Sequence, residues 1–130
     1  MSESSGRLRP PPVERFAGTE HVFDLAMIAA QLRAEAHTAT DGHRQMTILR
    51  QEPVTLVLFD FETGGTLVDH VADGLVTIHA LTGRVEVKTP EGRHELAAGS
   101  LLVLSPGVRH DVFAPEASQL LLTVHLKAKG

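Results

Sequence analysis

Cysteine, tryptophan and tyrosine are absent from this 130-residue chain. The missing thiol excludes disulfides, thiolate metal sites and cysteine nucleophiles. Phe numbers only 5, so there is little aromatic surface on which bases or sugars could stack. Basic runs are also lacking: none exceeds two residues, and 12 Lys+Arg against 16 Asp+Glu give a formal net charge of −4. That balance argues against a phosphate-backbone partner, so no nucleic acid is expected. Long hydrophobic runs are missing as well. The stretch Val54 to Phe59, interrupted by Thr55, is far too short to span a bilayer. The opening residues carry no apolar segment of the secretory kind. The expectation is a cytoplasmic protein with no membrane partner.

What is present describes an ordinary globular domain. The chain is 42% hydrophobic and 22% charged with a mean hydropathy of +0.01, and its length suits one domain. The residue in excess is histidine, with 8. Residues 1–18 are rich in Ser, Gly, Pro and Arg and include Pro10-Pro11-Pro12. A polyproline stretch lacks the N–H groups a strand ladder needs. The segment reads as a mobile arm, or as an extended strand donated to a neighbouring subunit.

Residues 19–43 read as a helical segment. Within them, Leu25, Ile28, Ala29, Leu32 and Ala36 make one apolar stripe at helical spacing, and Asp24 stands where an N-cap belongs. The spacing predicts a helix over 25–36. From residue 44 the pattern changes to short apolar, β-branched runs separated by Gly and Pro. Strands are predicted over 45–49, 54–61, 75–81, 84–88, 94–96, 101–104, 110–113 and 119–126. Their rhythm suggests a sandwich or barrel over residues 44–130. The runs Val54–Phe59 and Leu120–Val124 are apolar on both faces. One face should lie inside the barrel and the other under a helix or a subunit partner.

Two spaced motifs carry a resemblance. The first reads Gly64-x5-His70-x-Ala72-x3-Val76-x6-Gly83, and the second Gly99-x5-Ser105-x-Gly107-x2-His110-x3-Ala114. Together they resemble the paired motifs of the cupins, G-x5-H-x-H-x3-E-x6-G and G-x5-P-x-G-x2-H-x3-N. Every spacing, all motif glycines and the histidines at 70 and 110 match. The resemblance covers roughly residues 44 to 126, and implies a mostly β, jelly-roll β-barrel with one N-terminal helix. In the family, three histidines and a glutamate bind a divalent metal such as Fe, Mn, Ni, Co or Zn at the barrel mouth. Here the second histidine position is Ala72 and the glutamate position is Val76, and neither side chain can donate to a metal.

His70 and His110 are therefore the candidate site residues. Three readings stand side by side. The pair holds a divalent metal, helped by Asp69, Asp73 or water. It acts without metal, as general acid and base or as donors to a ligand. Or it is inherited polar lining in a non-catalytic module that senses a ligand or serves assembly. His79 would join a metal site only through a strand bulge, because strand alternation places it opposite Val76. His94, His21, His37 and His43 read as solvent-facing, Arg109 as surface, and His125 as facing either the barrel or an interface. Asp60 and Glu62 read as a strand leaving the core, with a polar pair at the mouth as the alternative. The expected partners are a small-molecule ligand and a second copy of the chain. Homodimers are typical of small cupins, and a sheet apolar on both faces favours them.

Overall fold

The computed structural model describes residues 18–36 and 38–127. The expected arm lies outside these residues apart from Gly18, and so does His37. The elements run α1 (Leu25–Arg33), β1 (His43–Gln51), β2 (Val54–Phe61), β3 (Thr66–His70), β4 (Gly74–Thr82), β5 (Arg84–Thr89), β6 (Gly92–Ala97), β7 (Leu101–Leu104), β8 (His110–Phe113) and β9 (Ser118–Leu126). Two antiparallel sheets face each other, one in the order β1-β2-β9-β4-β7 and the other β3-β8-β5-β6. This is a jelly-roll barrel.

Strand alternation builds the core. On β4, Val76, Ile78 and Ala80 are buried while the residues between them are not. They meet Phe59, Phe61, Leu120 and Leu122 of their own sheet and Val85, Val87, Leu96 and Val112 of the other. The β4–β5 turn needs Gly83. It has φ 72, and a Cβ there would collide with Ala117 and Ser118. Ser118 is fully buried at this crossing. Its hydroxyl accepts from the Arg84 N–H at 3.0 Å and lies 3.0 Å from the Arg84 carbonyl, which ties β9 to β5 across the two sheets.

The second apolar face of β2 is covered by α1, one of the two covers that the sequence pattern left open, and the helix reaches β9 only at Leu121. Ala29 and Leu32 pack on Ile48 and Leu58, with Leu56 and Leu121 at the margin. Fully burying Leu32 and Leu58 contributes roughly 1.5–3 kcal/mol each. Asp24 caps the helix, accepting from the Met27 N–H at 3.1 Å. The helix ends at Arg33, earlier than the predicted residue 36, and Ala36 is exposed. The last turn is anchored from the side. The Arg33 guanidinium reaches the Asp60 carboxylate at 2.7 and 3.3 Å, and the Gln119 side chain donates to the same carboxylate at 3.3 Å. Asp60 is buried on the helix-facing side of β2 with Leu58. It is neither a strand leaving the core nor one of a polar pair at the mouth. Its hydrogen bond and charge raise the Arg33 pKa above its ordinary value.

Candidate functional site

Strand β3 ends at His70 and β8 begins at His110, and the two residues lie opposite each other in the ladder. Regular pairing would not bring them together. Leu67 pairs with Val112, and a bulge at Val68 and Asp69 then absorbs one residue, so that His70 meets His110. Asp69 takes the left-handed conformation there, with φ 54. Its carboxylate holds the Arg109 guanidinium at 2.6 Å, and its N–H donates to the Asp111 side chain. Short polar side chains tolerate that backbone conformation best.

The His110 ring is buried, with its Nδ1 3.1 Å from the Val108 carbonyl and its Nε2 3.2 Å from Nδ1 of His70. The rings meet edge to face at 76°, with centroids 5.1 Å apart. A carbonyl oxygen only accepts, so His110 Nδ1 carries the proton and a neutral ring leaves Nε2 as a lone pair. His70 must then donate through its own Nδ1–H, which leaves His70 Nε2 as the open acceptor at the end of the chain. The His70 pKa is lowered, first by burial and then by the neighbouring imidazole.

Register places the pair in the barrel. Val87 of β5 pairs with Val112 on one side and with His94 on the other. One step nearer the mouth, the same inner face carries His110, Thr89 and Gly92 in a row. The loops at this end are joined, since the Gly107 N–H donates to the Ala72 carbonyl at 3.1 Å. Outside the row lies an open depression of about 320 Å³, lined by His110 and Thr89 with Lys88, Arg109, Asp69 and Asp111.

No family model matches the chain, and neither does any curated protein. Solved structures do. A cupin superfamily protein from Desulfitobacterium hafniense superposes with a TM-score of 0.66 at 14% identity, covering 93% of this chain and 94% of that one. An RmlC-like cupin from Shewanella frigidimarina gives 0.63 at 18% identity, over 69% of this chain and 81% of its own. The chain has the cupin fold. A conserved protein of unknown function from Streptococcus pyogenes is also similar, with a TM-score of 0.68 at 23% identity over 88% of this chain and 96% of that chain.

The donors in this cupin barrel do not fit a resident divalent metal. Two imidazoles rarely retain such an ion unless a carboxylate or third ring helps. Among the described residues, no group of three or more His, Asp or Glu is placed to hold one. Each expected helper is directed elsewhere. Asp69 is exposed and paired with Arg109. Asp73 is exposed and lies 3.9 Å from the Lys127 ammonium. His79 pairs with Leu101 and Leu121 on the outer face of β4, and the ladder is regular from Val76 to His79, so no bulge turns it inward. Ala72 packs against the core and Val76 is buried within it.

Other histidines depart from their sequence reading. His94 is not solvent-facing. It shares the inner face of β6 with buried Leu96 and is itself half-buried. The signal was available, since residues 94 and 96 have the same parity. His43 is not exposed either. It is buried against Phe59 and Phe61, with Nδ1 2.8 Å from the Thr66 carbonyl. His125 lies exposed on the outer face, opposite Leu75 and Val54. His21 stacks on Phe23.

Proposed function

We propose that this cupin barrel binds a small molecule at its mouth, and that His70 and His110 serve it without a metal. The observation that supports this reading is the one-way hydrogen-bond chain from the Val108 carbonyl through His110 to His70. It presents a single imidazole acceptor, His70 Nε2, whose own basicity burial has reduced. Such a group accepts a hydrogen bond from a ligand hydroxyl or ammonium, and takes a proton only from an acidic position. His110 plays the supporting part. It fixes the His70 tautomer, and it accepts no proton unless the His70 Nδ1–H contact is given up.

Long-range nitrogen–proton correlation of the histidine rings tests the arrangement directly. Both rings are expected in the Nδ1–H tautomer in the untagged protein, and His110→Ala is expected to return His70 to the commoner Nε2–H form. Metal analysis with a thermal-shift series over Mn, Fe, Ni, Co and Zn completes the test. Stoichiometric metal that is lost in His70→Ala and in His110→Ala overturns the metal-free reading. A thermal-shift panel of small alcohols, sugars and amines then tests ligand binding. Hits that disappear in His70→Ala support it. A panel with no hits favours the non-catalytic alternative, in which the barrel serves sensing or assembly.

A further inference from the structure

A second cavity adjoins the mouth and shares Thr89 and Pro90 with the first. β6 and β7 are the outer strands of their respective sheets, and a cavity of about 390 Å³ lies at the seam between them. Its apolar walls include Leu102, Leu104 and Val108, and its polar groups include Thr89, Glu91 and His94. The register explains why space exists there. The inner-face row that begins with His110 ends at Gly92, where no side chain projects and a Cβ would meet nothing within 4 Å. His94 sits one step deeper on the same strand face. Among the described residues, no hydrogen bond or ion pair engages its ring.

We infer that this seam is a binding site for a small uncharged molecule with an apolar body and one hydroxyl, which hydrogen-bonds to the His94 imidazole. The volume falls in the range of small-ligand cavities, which run roughly 300–1,000 Å³. Charge selects the class of occupant. No Lys or Arg lines this cavity, and its one ionisable group besides His94 is the Glu91 carboxylate, which repels an anion. The cationic groups Lys88 and Arg109 face the other side of the shared Thr89–Pro90 wall, in the depression beside His110. A half-buried imidazole without a protein partner gains a hydrogen bond when such a ligand enters, and the leucine and valine walls gain an apolar neighbour. The inference stands apart from the His70–His110 reading, because it uses neither ring.

The test is an NMR titration of the full-length protein with 2-naphthol and, separately, with 2-naphthoate. These probes share a ring system and differ in charge. Naphthol is expected to shift the methyl resonances of Leu102, Leu104 and Val108 and the ring resonances of His94, and to bind more tightly than naphthoate. His94→Leu is expected to weaken naphthol by about tenfold, the worth of one hydrogen bond. His94→Gln keeps a donor and an acceptor at the site and is expected to retain binding, which separates a contact with the ligand from a loss of fold. His70→Asn is expected to leave the naphthol affinity unchanged. Shifts confined to other residues, naphthoate binding as tightly as naphthol, or unchanged affinity in His94→Leu overturns the proposal.

Discussion

At the scale of single residues, His70 titrates differently from an exposed ring. His70 has a lowered pKa because burial and His110 oppose its protonation. The unfolded chain therefore binds a proton near pH 6.5 that the native state refuses. The stabilising contribution of the neutral ring is complete above that pH. It is lost as pH falls from there through the lower native pKa. Thermal melts between pH 7.5 and 5 are expected to show the midpoint falling on the acid side more steeply in wild type than in His70→Asn. Parallel curves would refute this. The Arg33–Asp60 pair makes a second residue-level prediction. The Asp60 side chain is 1% exposed and that of Arg33 56%. Arg33→Ala leaves a buried carboxylate with only Gln119, at a cost of about 3 kcal/mol. Asp60→Asn leaves Arg33 free to reach water and costs about 1 kcal/mol. Urea denaturation should return that order; the reverse order would show that the guanidinium is the group in need of its partner.

At the scale of elements, the bulge in β3 decides which side chain enters the barrel. Asp69→Val forces a β-branched residue into the left-handed region and is expected to lose about 1–2 kcal/mol more than Asp69→Asn, which tolerates that conformation. Equal losses in equilibrium denaturation would contradict the role given to the backbone. The same bulge marks where the sequence stopped being legible. Thr66-Leu67-Val68-Asp69-His70 is short, and its inserted residue breaks the alternation that announces a strand, so β3 does not stand out from composition alone. The longer strand β4 keeps its period of two, β2 and β9 stand out as apolar runs between turn residues, and the motif glycines fall at turns. That His70 and His110 converge is what the resemblance to the cupin motifs implies, while the bulge that pairs them is not legible in the spacing. Nor is the fate of Asp60, although its parity with Leu56 and Leu58 places it toward the helix. Arg33, one turn after Ala29 on the apolar stripe, is its natural counter-charge. Neither fact alone names the contact, because the meeting of α1 with β2 is a tertiary event.

At the scale of the whole molecule, the helix covers only part of the outer face of the five-stranded sheet. Leu75, Leu101 and Val103, on neighbouring strands β4 and β7, remain 40%, 59% and 52% exposed. We propose that a second copy of the chain covers them, as the sequence reading anticipated. Light scattering after size exclusion is expected to give a dimer at micromolar concentration and a monomer for the double variant Leu101→Lys, Val103→Lys. A monomeric wild type would refute the assignment. Among the described residues, no helix is long and apolar enough to cross a membrane.

The carboxylate beneath α1 has one more consequence. Contact between aliphatic surfaces has no preferred station, and a short helix resting on leucines could slip by a turn, about 5.4 Å. A fork of N–H groups that must meet one sunken pair of oxygens admits a single station. The lid is thus keyed to its seat. Cutting the chain between α1 and β1 would bare a greasy patch and take from Asp60 the guanidinium that holds it, and the barrel on its own should fold poorly.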